Sequence, residues 1–167
     1  MLKPLSTEEL KLLQFLEEDS NRSHDELAQL VSVSKEKIEA MIAELQAEKI
    51  ILKYRAIINW EQIESNEVAA LIQVSVQTEK DSGYDDVAAR IARMEEVTTC
   101  LLVSGSFDLL VEVNGPSLKE VAFFVADKLA TIEGVTHTRT NFLLKRYKQA
   151  GDLLTVTGKT RRLPMVI

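Results

Sequence analysis

One cysteine in 167 residues leaves no internal disulfide to form, and the apolar run VTTCLLV around Cys100 points to burial in a strand rather than reactivity. Histidine is nearly as scarce. His24 and His137 lie far apart, and neither HxxxH nor CxxC spacing occurs, so no metal site is expected. The chain lacks both the dinucleotide-binding glycine pattern and a P-loop, which leaves nucleotide cofactors without support; no cofactor is expected. No run of about 18 apolar residues is present to span a membrane. The opening MLKPLSTEEL has neither the basic n-region nor the apolar stretch of a secretory signal, so a cytoplasmic protein is expected. Aromatic residues make up only 5%, and 26 acidic residues outnumber 20 basic ones for a net charge of −6. That balance counts against a phosphate-rich partner, because Lys and Arg dominate binding to nucleic-acid backbones.

A hydrophobic fraction of 46% is enough for real cores, and the length suits either one domain or two small ones. Ser6-Thr7-Glu8-Glu9 and Ser23-His24-Asp25-Glu26 are capping-box helix starts, each with a hydroxyl followed three residues on by a carboxylate. Leu10, Leu12, Leu13, Phe15 and Leu16 give the first helix a broad apolar stripe. In ELAQLVSVSKEKIEAMI, Leu27, Ala28, Leu30 and Val31 form one apolar face. Val33 plugs a turn, Ser34 caps a further helix, and Ile38, Met41, Ile42 and Leu45 recur at helical spacing. This is the spacing of a helix-turn-helix, whose second helix normally enters the DNA major groove. An extended segment from Ile50 to Ile58 follows, with a wing expected near Leu52 to Ile57.

From Val68 the periodicity changes. VAALIQVSVQ alternates as a strand, GYDDVAARIARM reads as a helix, and VTTCLLVSG and DLLVEVNG read as strands joined at Gly105-Ser106-Phe107. SLKEVAFFVADKLATIEG reads as a second helix and VTHTRTNFLLKRYK as a last strand. The order β-α-β-β-α-β is the ferredoxin-like arrangement, a sheet with both helices on one face. The other face calls for a partner, most often a second copy. Val74, Val76, Leu101, Val103, Val111, Val113, Phe142 and Leu144 are the candidates for its two faces. The fold class is therefore α+β, with a winged helix-turn-helix at residues 1–60, a ferredoxin-like domain at 61–148 and an extension at 149–167. In that extension Leu153 to Val156 and Leu163 to Ile167 are expected to flank a turn at Thr157-Gly158-Lys159.

The Leu27-Ala28…Val31-Ser32-Val33-Ser34 turn, the run Gly105-Ser106-Phe107-Asp108-Leu109-Leu110 and Gly134-Val135…Thr140…Leu144 together resemble the Lrp/AsnC, or feast/famine, family over residues 5–148. The resemblance implies a RAM-type C-terminal domain and a transcription regulator. It also implies dimerisation through the C-terminal sheets, assembly on to octamers, and an amino-acid effector bound between dimers. The effector would lie near Gly105, Ser106, Phe107 and Asp108 and near Thr138 and Thr140. The residue chemistry fits: glycine lets backbone approach a ligand, Asp108 can accept from an ammonium, and Ser106 can face a carboxylate. Asp108 reads equally well as a turn-former.

Family members commonly carry basic residues on the exposed face of the recognition helix. Here Ala40, Met41, Ala43 and Glu44 stand at those positions, and Ser32 replaces the usual turn glycine. Over residues 1–60, eight basic residues against eleven acidic ones leave a charge of −3. Contacts to double-stranded DNA are assigned to Ser32, Ser34, Lys35, Lys37 and Ala40, and to Lys53 and Arg55 on the wing. Two alternatives remain: an effector-binding oligomer whose helix-turn-helix does not touch DNA, and an enzyme similar to the sirohaem decarboxylases that resemble this family.

Overall fold

Each of the first three helix starts is marked by a serine. The computed structural model describes residues 3–77 and 83–154 and divides into two compact units, Met1–Ile58 and Asn59–Ile167. In α1 (Thr7–Glu18) the Ser6 hydroxyl accepts the Glu9 N–H, and the Glu9 carboxylate accepts the Ser6 N–H at 2.7 Å. Ser23 and Glu26 repeat the box at α2 (His24–Val31). These N–H donors favour the ionised carboxylate, so both glutamates sit below the usual glutamate range. Ser32 then turns the chain with φ at +64°, the Val33 N–H returns to the Ala28 carbonyl at 3.0 Å, and Ser34 caps α3 (Lys35–Ala47). Leu12, Leu27, Ile38 and Leu45 are fully buried where the three helices meet. Leu10 and Leu30 remain exposed, so the buried stripes are narrower than the count of leucines suggests. The segment expected to form a wing, Leu52 to Ile57, carries neither helix nor strand.

The second unit opens with a 3-10 turn, Trp60–Gln62, followed by β1 (Val68–Val76), α4 (Tyr84–Ala92), β2 (Val97–Leu102) and β3 (Leu109–Gly115). Next come α5 (Leu118–Phe123), a π-helical turn Phe124–Leu129, β4 (Val135–Phe142), β5 (Lys148–Gln149) and β6 (Asp152–Leu153). The sheet order is β2-β3-β1-β4, antiparallel throughout. Ile72, Val74, Leu109 and Val111 pack against Ile91 of α4 and Val121 of α5, placing both helices on one face. The wider turn of the π segment, bonded i→i+5, lets Phe124 and Leu129, five residues apart, share that core. Gly134, just before β4, has φ at +93°, where a Cβ would meet Val87 at 3.0 Å, so only glycine fits without strain.

The open face is more polar than expected. Val74, Val76, Val111 and Val113 are all buried on the helix side, and Phe142 shares that side opposite Ala70. What remains outward is Leu71, Leu101 and Leu110, among Gln73, Glu112, Arg139 and Asn141. The last strand is also shorter than the sequence suggested. It stops at Phe142, and the C-terminal hairpin forms at β5 and β6, earlier than the turn expected at Thr157-Gly158-Lys159, which lies outside the described residues. Cys100 sits half-buried in β2, and burial pushes its thiol up.

Candidate nucleic-acid interface and effector groove

The exposed face of α3 is tied back to its own unit by charge. Lys35 Nζ meets the Asp25 carboxylate at 3.0 Å, Lys37 pairs with Glu8 of α1, and His24 Nδ1 lies 3.3 Å from Glu39. From the N-terminal arm, Lys3 reaches both Glu44 and Glu48 at 2.7 Å. Donating a hydrogen bond to the Asp25 carboxylate holds the Lys35 ammonium above its ordinary range, and the bonds Lys3 donates to Glu44 and Glu48 do the same for Lys3. Glu36 turns towards its own N–H and the Ser34 hydroxyl, which holds its carboxyl low. Ser32, Ser34 and Ala40 are exposed, as are Lys53 and Arg55 in the irregular segment after α3. Exposed pairs of this kind contribute little net stability, because the charges are well solvated apart. Exchanging a carboxylate partner for a phosphate is therefore cheap.

Between β2 and β3 the chain makes a six-residue loop, longer than the three-residue turn read from the sequence. The Val103 N–H donates to the Asp108 carbonyl at 2.9 Å, and the Asp108 N–H donates to the Val74 carbonyl at 3.0 Å. Asp108 also has structural work: its Oδ2 accepts the Val76 N–H at 2.8 Å, beside the register shift of β1 at Ser75/Val76. Gly105 has φ at +150° with open space around it. Gly105, Phe107 and Asp108 line a groove of about 450 Å³ with Tyr84, Leu102, Val103 and Ser104. A larger groove, about 700 Å³, runs along α4 and the start of β4, past Asp86, Arg90, Arg93, Glu133 and Thr136.

Residues 69–153 match the family model of the Lrp/AsnC ligand-binding domain. Along the whole chain, an uncharacterized HTH-type transcriptional regulator of Bacillus subtilis is 36% identical over 160 residues, which is 95% of this chain and 96% of that one. The chain belongs to the Lrp/AsnC family. The leucine-responsive regulatory protein of Haemophilus influenzae is 26% identical over 91% of both chains. Among solved structures, a Neisseria meningitidis transcriptional regulator in complex with L-Met superposes with a TM-score of 0.66 at 27% identity. That match covers 87% of this chain and 94% of the regulator.

Within this Lrp/AsnC ligand-binding domain, the residues singled out for the effector do not all converge in one protomer. Gly105, Phe107 and Asp108 share the smaller groove, while Ser106 is exposed beside it and outside its lining. Thr138 and Thr140 lie on β4, opposite Val74 and Ile72, half-buried on the helix side and away from the groove's lining. Tyr84 is the residue that sequence reading missed. It opens α4 some twenty residues before the loop, and no spacing in the chain announces that a helix start approaches a distant hairpin.

Proposed function

We propose that the chain is a sequence-specific DNA-binding transcription regulator that responds to an amino acid and acts as a homodimer able to assemble into an octamer. The observation that carries this reading is the pairing of a capped, fully packed helix-turn-helix with the family's ligand-binding domain in one chain. The L-Met complex of the Neisseria relative supports an amino-acid effector. Ser32, Ser34, Lys35, Lys37 and Ala40 would meet DNA from α3 and its turn, and Lys53 and Arg55 from the segment behind it. Gly105, Ser106, Phe107 and Asp108 would receive the effector, with Thr138 and Thr140 serving a neighbouring dimer's site. The names of its relatives support a cytoplasmic regulator without catalytic activity.

A second reading, an effector-binding oligomer that leaves DNA alone, is favoured by one observation: both α3 lysines are occupied by carboxylates of their own unit. Selecting binders from a duplex pool with a random core separates the two. Retention of specific sequences, lost in Lys35→Glu/Lys37→Glu while the oligomeric mass is unchanged, supports the regulator. Equal retention by that double variant overturns the assignment of α3, and no retention by the native chain favours the second reading. Calorimetric titration of an amino-acid panel, repeated on Asp108→Ala, tests the groove. Unchanged affinity in the folded variant removes Asp108 from the ligand's contacts.

A further inference from the structure

The first residues of the second unit are held from the far end of the chain. Asn59 Nδ2 donates to the Leu154 carbonyl at 2.9 Å, and the Glu61 carboxylate accepts the Arg146 backbone N–H at 3.0 Å. The Arg146 guanidinium pairs with Glu112, which points outward from β3 and also accepts the Thr99 hydroxyl at 3.3 Å. This pair is better shielded than those around α3, with the Glu112 side chain 19% exposed and that of Arg146 31%. Leu154 is buried at 5% exposure, and its N–H returns to the Tyr147 carbonyl at 3.0 Å. The β5–β6 hairpin that carries it there turns at Ala150 and Gly151, with φ of +46° and +96°, the left-handed pair that a two-residue turn requires. Asn59 Oδ1 stays buried without a partner, an unfavourable arrangement that the contacts around it must outweigh.

We propose that residues 146–154 form a strap that fixes the segment where the two units join, with Arg146 as its positioning residue. Arg146 links Glu61, three residues past the end of the first unit at Ile58, to Glu112, four residues past Asp108 on the strand that leaves the effector loop. A shift of β3 moves Glu112, and Arg146 carries that shift to the joining segment. The strap stands on its own contacts; its part in regulation rests on the function proposed above. A partly shielded pair held by two further hydrogen bonds suits this task, because breaking one partner leaves the other charge poorly solvated.

Hydrogen exchange on the full chain tests the strap directly, comparing residues 57–64 with β1 as an internal reference. Arg146→Glu and Glu112→Arg are each expected to speed exchange of 57–64 by about tenfold while β1 keeps its protection, and the double charge swap is expected to restore it. Glu61→Ala, which removes only the acceptor of the Arg146 N–H, is expected to act on the same segment. Unchanged exchange in Glu61→Ala and in either folded charge variant, or a folded swap that fails to restore protection, overturns the strap. In parallel, Arg146→Glu is expected to weaken binding to duplexes selected from the random pool about fivefold, with recovery in the swap. Unaltered DNA affinity alongside faster exchange overturns the regulatory part alone. Failure of the native chain to select any duplex overturns the proposed function, and the exchange result still decides the strap.

Discussion

The two units bury apolar residues in opposite ways. Three helices close around one core in the first, and the exposed face of α3 carries paired charges. In the second, one sheet face is sealed by α4 and α5, while the other carries the exposed Leu101 and the half-buried Leu71 and Leu110 among polar neighbours. A helical bundle of this size closes its own core, whereas a four-stranded sheet covered on one side keeps a second face in reach of water or a partner. The first unit therefore offers a partner charges and hydrogen-bonding groups, and the second offers an uncovered sheet face.

The comparison breaks most sharply at the cores. Leu45→Ala and Ile72→Ala are each expected to cost about 2–5 kcal/mol, through lost burial and a residual cavity. If the units fold independently, calorimetry on each variant will show one transition lowered and the other in place; joint loss of both would show a single cooperative block. Next in size is the open face. Leu110→Lys is expected to weaken self-association at least tenfold, about 1.4 kcal/mol, with the protomer's secondary structure intact by circular dichroism. Sedimentation equilibrium reads the first effect.

The caps are worth less. Ser23→Ala is expected to lower the stability of the first unit by about 1 kcal/mol at neutral pH. Glu9 and Glu26 have depressed values in the folded chain, so the stability they contribute is fully present above the ordinary glutamate value and is lost as pH falls through the folded ones. The acid limb of the melting curve, below about pH 4.5, should therefore flatten in a Glu9→Gln/Glu26→Gln variant, whose amides do not titrate there. Smallest is Ser32→Gly, which relieves a left-handed backbone at the helix-turn-helix and is expected to add about 0.5–1 kcal/mol. A melting point that falls instead would show that the serine side chain contributes more than its strained backbone removes.

What the sequence made legible was local. Both capping boxes, the Ser34 cap and the Ile38, Met41, Ile42 and Leu45 stripe stand where their spacing put them, because each depends on residues within one or two turns. The βαββαβ order was readable for the same reason, through strand alternation and helical period. Contacts that join distant segments left no mark. Nothing in the chain foretold that Arg146 reaches Glu112, that Tyr84 meets the β2–β3 loop, or that Lys37 pairs with Glu8 across 29 positions. Alternation also misled on one point. The valines of β1 and β3 all face the helices, and the outward phase carries glutamine and glutamate as well as leucine, so apolar residues on both phases overstated how greasy the second face is.

The bond from the Val76 N–H to Asp108 has a use beyond holding a turn. A carboxylate shared between a backbone proton and an incoming cation divides its electron density between them. The Val76 amide is therefore a resident spectroscopic probe: its proton resonance reports the charge facing Asp108 without any label placed in the groove. A ligand ammonium that docks there must pull that resonance upfield, towards that of an unbonded amide, and one that docks elsewhere leaves it still.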